Sequence, residues 1–396
     1  MNWDLLFALI FYGIIVIWFL RQRSRWEVQG KIIGIYRTKI GLKLMEIIAK
    51  KVPWLLRLCS GLSVVIGFLG MGAMFYYLLI GTYNLIAVPK SLPAVAPVLP
   101  GVKIPGLPDL SFWHWIVSIF IVAAIHEFAH GVYARLYKIP VKSSGIALFG
   151  PILGAFVEPD EKIMQKQSKW RQMTVFSAGP FSNVILAIVA LLLLTFVSAP
   201  IYGSLFEGTG IQVNTVLPDH AAALAGMQAP VIVTAVNGFP TTDVASFAEA
   251  TKDIKPSQVL KLETDHGVYT VVTEENPGNS SRGFIGISDF EVRTEVKPEM
   301  KERFGVFIPK VITWLHMLLF WLFIVSLGIG LFNLLPLGPI DGGRMFLVAM
   351  QGLIKNQSYA KRIFMMVTLF CLLLIFINLF PYLWKLLVWI ISPFTG

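Results

Sequence analysis

The sequence predicts a polytopic α-helical membrane protein with about six transmembrane helices, a re-entrant β-hairpin and one small inserted α+β domain. Three observations carry that expectation. The chain has 396 residues, of which 56% are hydrophobic and only 14% charged, and its mean hydropathy is +0.70. Soluble domains rarely reach such values. Six stretches are long and apolar enough to cross a bilayer as helices, roughly 4–20, 59–88, 112–137, 174–198, 307–335 and 362–391. One region, 204–292, departs from this pattern: it holds 11 Asp and Glu against 4 Lys and Arg, a net charge of −7 within a chain of net charge +10.

The remaining basic residues fall in short segments beside apolar spans, which argues against nucleic acid and for loops facing the cytoplasm. The first span starts at the N-terminus without a small-residue cleavage site and is expected to be retained. Residues 21–57 carry ten Lys and Arg and read as cytoplasmic. Alternation then places 138–173 and 336–361 inside as well, with both termini, 89–111 and 199–306 outside. Within the first inner loop, Ile40–Lys51 mixes Leu, Met and Ile with Lys, as an interfacial amphipathic helix or a plain linker helix would. The proline-punctuated segment Pro89–Pro108 reads as an extended outer linker. Trp3, Trp113, Trp115, Trp314, Trp384 and Trp389 lie near span ends and suit an aromatic belt. Cys59 and Cys371 both sit in apolar stretches and give no disulfide framework.

The third span ends in AAIHEFAHGVYARLY, residues 123–137. Ionisable side chains at membrane depth are costly and mark function. His126 and His130 are four residues apart, so a helix projects them from one face. Two imidazoles so placed can share a zinc ion, with Glu127 in reach of its open position. Catalytic zinc takes a third protein ligand. The fifth span leads into FNLLPLGPIDGGR, residues 332–344, where prolines and glycines break the helix around Asp341. Such a break is tolerated where protein or water satisfies the backbone. Asp341 there reads as a carboxylate ligand or as a helix-capping aspartate. Both motifs precede basic residues, Arg135 and Arg344, which puts them at the cytoplasmic ends of their spans.

Between them, SSGIALFGPILGAFVEPD (143–160) is apolar but too rich in glycine and proline for a helix. Two β runs, Ile146–Phe149 and Leu153–Val157, suggest a re-entrant hairpin whose free edge could pair with an extended substrate, with an interfacial loop as the plain alternative. In the insert, Ile211–Val216, Val231–Val236, Val259–Thr264 and Val268–Thr273 read as strands. Ala221–Ala225 and Val244–Ile254 read as helices, the former ended by Gly226. The isolated His114 and His316 read as boundary residues, and His220 and His266 as surface residues of the insert.

HEFAH in one span with NLLPLGPIDGG after a later one resembles the site-2 protease family of intramembrane zinc metalloproteases, prokaryotic type. FSAGPFSN (176–183) is similar to the family's small-residue signature, and the insert, with VLPDHAAALAGM and VIVTAVNGFP, resembles a PDZ domain. At MQAPVIV it departs from the PDZ pattern, where a Gly-Asp pair commonly precedes the second strand. The resemblance covers about 112–352. It implies His126, His130 and Asp341 as zinc ligands, Glu127 as general base and Asn333 as the amide that steadies the oxyanion, with Asn183 a weaker carry-over that could simply pair helices. It further implies Zn2+ as cofactor, and hydrolysis of peptide bonds within or near transmembrane segments of single-span membrane-protein substrates.

The expected organisation is 1–111, two spans with the amphipathic segment and outer linker; 112–203, the first half of the catalytic core; 204–292, an extracytoplasmic PDZ-like domain that filters access; and 293–396, the second half with Asp341 and the last span. The expected setting is a prokaryotic plasma membrane, in contact with lipid and not with nucleic acid. Competing readings are a metal-ion transporter built on the same His/Asp cluster, and an inactive PDZ-bearing membrane scaffold. Glu127 beside a ligand histidine favours hydrolysis, and nothing suggests the inverted repeats of a transporter.

Overall fold

The computed structural model describes residues 3–30, 33–88, 91–104, 106–150 and 152–395. It is mainly helical, with antiparallel sheets, and divides into two compact units. One comprises Met1–Ile104, Pro108–Leu193 and Met317–Gly396; the other comprises Pro105–Leu107 and Leu194–His316. Six helices among the described residues are long and apolar enough to cross a membrane: Asp4–Arg21, Pro53–Ala87, Phe112–Leu136, Lys169–Leu205, Phe307–Phe332 and Gln357–Val388. The chain is a multi-pass membrane protein.

The first unit opens with α1 (Trp3–Arg21), β1 (Trp26–Gln29), β2 (Ile33–Thr38) and α2 (Leu42–Lys51). Then come α3 (Pro53–Ala87), α4 (Phe112–Leu136), β3 (Val141–Phe149), β4 (Ile152–Pro159), α5 (Glu161–Gln165) and α6 (Lys169–Leu193). The expected amphipathic helix forms as α2, with Met45 and Ala49 buried. The span expected from residue 59 starts at Pro53, a proline in the first helical turn whose missing N–H costs nothing there.

The expected hairpin is β3–β4, in register from Phe149↔Ile152 to Ser143↔Glu158, with a shift before Val141↔Pro159. Residue 151 of its turn lies outside the described residues, as do residues 89, 90 and 105 of the expected outer linker and the side chains of Trp3 and Trp389. The basic loop hides two strands that the sequence reading missed. β1 and β2 extend the hairpin into a four-stranded sheet, order β1-β2-β3-β4, so among the described residues β4 is an edge strand with no strand on its outer side and β3 is not. Arg37 on β2 bridges Glu27 on β1 at 3.0 Å and Glu158 on β4.

Residues 91–104 lie against the helices of this unit. Ala94 N–H donates to Asn378 Oδ1 at 2.8 Å, and Trp115 Nε1 donates to Val98 O at 2.9 Å. Trp115 is therefore buried rather than part of an aromatic belt. His114 is buried too, its Nδ1 2.6 Å from the N-capping Ser111 Oγ at the start of α4.

The second unit holds α7 (Ala199–Leu205), β5 (Phe206–Val216), α8 (Ala221–Leu224), β6 (Val231–Val236), β7 (Phe239–Pro240) and α9 (Val244–Thr251). These are followed by β8 (Val259–Thr264), β9 (Gly267–Val272), β10 (Glu274–Asn276), β11 (Asn279–Phe284), β12 (Ile287–Val296) and α10 (Pro298–Phe304). Its main sheet has the order β12-β5-β6-β8-β9, with β7 on β6. The four strand runs and both short helices expected from sequence form, although β5 begins at Phe206 and α9 ends at Thr251, while β7, β10, β11 and β12 are additional strands; Gly226 follows α8 with φ +83. β12 runs past the expected limit of 292 because it pairs along the whole of β5, from Ile287↔Val216 to Val296↔Phe206. Ile211, Val213, Val231, Val233, Leu260, Leu262 and Phe247 form its core. His220 is a half-buried partner of Glu274 at 2.8 Å, while His266 is exposed.

The chain closes with α11 (Phe307–Phe332), α12 (Asp341–Leu353) and α13 (Gln357–Thr395). A core of Met71 from α3, Tyr133 and Ala134 from α4, Val175, Phe176 and Ala178 from α6, and Met345 and Val348 from α12 packs α3, α4, α6 and α12 together.

Candidate metal centre

Two helices supply the charged groups. On α4, His126 and His130 fall on one face and are both buried. Asp341 is the first residue of α12, where the positive end of the helix dipole favours a carboxylate. The loop before it folds back tightly: Gly342 N–H donates to Asn333 O at 2.7 Å. A Cβ on Gly342 would stand 2.5 Å from Leu335 O, and one on Gly343 would collide with Leu337 O. The glycine pair is what lets α12 begin here.

These elements bring three donor atoms to one point. His126 Nε2 lies 2.9 Å and His130 Nε2 3.3 Å from Asp341 Oδ2, and the two Nε2 atoms are 3.1 Å apart. A tetrahedral zinc with bonds of about 2.0–2.2 Å sets its ligand atoms about 3.3–3.5 Å apart. The observed triangle matches to within a few tenths of an ångström. Its chemistry fits as well, since two imidazole nitrogens and one carboxylate are a catalytic zinc set with one position open. His130 Nδ1 is 2.7 Å from the carbonyl of Val175. A carbonyl can only accept, so Nδ1 carries the hydrogen and Nε2 presents its lone pair to the shared point.

The third wall comes from α6. A Cβ on Gly179 would lie 2.5 Å from His126 Nε2, 2.6 Å from His126 Cε1, and closer still to His130 Nε2. Only a glycine leaves that volume free. Asn183, one turn on, is fully buried with Nδ2 3.0 Å from His126 Nδ1.

The other two expected site residues lie off this triangle. Glu127, on α4, accepts a hydrogen bond at Oε2 from the backbone N–H of Val157 on β4, at 2.9 Å. It also lines an apolar cavity of about 380 Å³ walled by Trp18, Phe120, Phe128 and Phe156. Asn333 lines a second apolar cavity, of about 480 Å³, with Pro97, Gly328 and Ile329. Neither Gly179 nor Val157 is expected at the site from sequence: Gly179 lies within FSAGPFSN and Val157 ends the β run Leu153–Val157, but the contacts they make have no local signal.

Residues 114–376 match Peptidase family M50. The chain belongs to this family. A protein of Methanocaldococcus jannaschii, MJ0971, is 30% identical over 86% of this chain and 85% of its own length. Two proteins provisionally named zinc metalloproteases are also similar. One, from Neisseria meningitidis, is 25% identical over 46% of this chain and 47% of its own length. The other, from Clostridium perfringens, is 24% identical over 63% of this chain and 86% of its own length. This M50 protein is a membrane metalloprotease with zinc as its metal.

Proposed function

We propose that this M50 protein is an intramembrane endopeptidase that cuts single-span membrane proteins, with its metal centre toward the cytoplasmic side. The observation that carries this reading is the convergence of His126 Nε2, His130 Nε2 and Asp341 Oδ2 within 3.3 Å of one another, on helices flanked by apolar spans. Bound there, zinc would polarise the scissile carbonyl and acidify a water. Its ligands are His126, His130 and Asp341. Glu127 takes the proton from the attacking water and returns it to the leaving amine. The Asn333 amide donates to the carbonyl oxygen as it gains charge.

A helical substrate hides its amides, so it must become extended before it is cut. The free edge of β4 suits that need, because a strand added there lies beside Glu127, whose carboxylate already meets Val157 N–H on that edge. The 380 Å³ cavity beside Glu127 then takes an apolar side chain of the substrate. The hairpin enters the membrane from the cytoplasmic side. The unit around Leu194–His316 is a PDZ-like extracytoplasmic domain that limits access; the excess of basic residues in 21–57 and 138–173 supports the cytoplasmic placement of those loops, from which this sidedness follows.

The test uses the full chain in detergent with a panel of single-span peptides, zinc being measured on the same samples. Glu127→Gln should keep zinc and lose cleavage by about 10²-fold or more. Cleavage surviving in that variant would overturn the mechanism. A wild type that cuts nothing but carries zinc across liposomes would replace the protease with a permease.

A further inference from the structure

The buried amide of Asn183 holds two facts that do not agree with a ligand at His126. Its Nδ2 faces His126 Nδ1 at 3.0 Å, and its Oδ1 is buried with no hydrogen-bond partner. A neutral imidazole bound to a metal through Nε2 carries its hydrogen on Nδ1. An NH2 facing that hydrogen is donor against donor. His130 shows the proper arrangement, with Nδ1 donating to Val175 O.

We infer that Asn183 is a positioning residue of the metal centre: with its amide turned end for end, Oδ1 accepts from His126 Nδ1–H and fixes the ring with Nε2 on the metal. The turn exchanges two groups of nearly equal size and moves no other atom. It removes the donor–donor conflict and gives the orphaned oxygen its partner. The helix that carries Asn183 is held close to α11 at this residue. Ser326 Oγ on α11 donates to Asn183 O at 2.8 Å, and a Cβ on Gly330 would stand 3.0 Å from Asn183 Cβ. Asn183 and Gly179 are four residues apart on α6, so one face of that helix both clears the ion's volume and orients a ligand. A role in pairing helices alone would not need Asn183 to meet a ligand histidine.

The inference rests on zinc binding at His126, and the experiment separates the two. Zinc affinity of the full-length protein is measured by competition with a chromophoric chelator for wild type, Asn183→Leu and Asn183→Asp. A carboxylate offers only acceptors, so Asn183→Asp should stay within about threefold of wild type or bind more tightly. Asn183→Leu should bind about 10–100-fold more weakly, the usual loss when a ligand histidine's hydrogen-bond partner is removed. Leucine at wild-type affinity, or aspartate as weak as leucine, overturns the inference while leaving the zinc reading intact. The aspartate arm decides even if the leucine variant does not fold. A wild type that binds no zinc overturns both.

Discussion

Gly179→Ala is the sharpest probe of the metal centre, because the added methyl falls where the ion would be. The new Cβ would lie 2.5 Å from His126 Nε2 and nearer still to His130 Nε2. An ion bonded to both nitrogens sits about 2.0–2.1 Å from each. Methyl and ion would crowd the same two nitrogens, closer together than a carbon and a metal that are not bonded can stand. The histidines cannot simply retreat, since His130 is held at Nδ1 by Val175 O and His126 at Nδ1 by Asn183. Pushing both rings back by about 1 Å is overpacking, which typically costs about 1–3 kcal/mol. Zinc must then also displace the methyl from its bonding volume. Affinity should fall at least about 100-fold, equivalent to about 2.7 kcal/mol. Gly72→Ala on α3, where a Cβ meets nothing within 4 Å, serves as the matched control. Zinc per chain after dialysis against a graded chelator reads the result, with the far-ultraviolet circular dichroism showing that the helices persist. Gly179→Ala at wild-type occupancy and affinity would refute the placement of α6 against the histidines.

Asp341→Asn keeps the shape of the ligand and removes its charge; zinc affinity should fall at least tenfold by the same chelator competition, and unchanged affinity would put the third ligand elsewhere. Asn378→Leu should lower the thermal midpoint in detergent and speed hydrogen exchange in 91–104. Asn378 is fully buried, accepts from Ala94 N–H at 2.8 Å and donates to Thr82 Oγ1 at 2.6 Å, and each group left unpaired costs about 1–3 kcal/mol. Asp243 caps α9, and the Ser246 N–H donating to it holds its carboxyl below the usual aspartate range. A depressed carboxyl stabilises the fold above its unfolded pKa and loses that effect as pH falls through the folded value. Exchange protection of α9 should therefore be lower in Asp243→Ala than in wild type at pH 7, and the two should converge in strong acid. A difference that persists undiminished at low pH would show that the capping charge is not its source.

Much of this arrangement was legible because its signals are local. About 20 apolar residues mark a span wherever the chain later packs. His126 and His130 declare a shared face through their spacing alone, and Asp341 declares itself by a carboxylate among helix-breaking residues. The strands Val231–Val236 and Val259–Thr264 fall as read, because alternating burial in a sheet edge-bounded by turns is written residue by residue. What escaped was made by distant partners. WEVQ and IGIYRT are too short and too near basic residues to read as strands; IGIYRT becomes one by pairing onto β3, more than 100 residues away, and WEVQ by pairing onto IGIYRT. The meeting of Glu127 with Val157, and of Gly179 with both histidines, exists only once α4, α6 and the hairpin are packed.

The residues that break local rules in this unit share one effect. Pro180 inside α6 forgoes a helical hydrogen bond, Gly179 and Gly330 weaken the helices that carry them, and Gly342 and Gly343 open α12 with the least favourable residues after proline. Isolated helices with this composition would be poorer than their neighbours. The glycines each remove a side chain where other chain comes close: Gly179 against the imidazoles of α4, Gly330 against Asn183 of α6, and Gly342 and Gly343 against the carbonyls of Leu335 and Leu337 in the loop that leads into α12. In an apolar medium helices gain little from the hydrophobic effect and associate through close packing and a few polar contacts. A metal triangle with edges near 3 Å demands just that closeness. Local helix stability is given up where ligands must converge, which is where sequence rules are expected to fail.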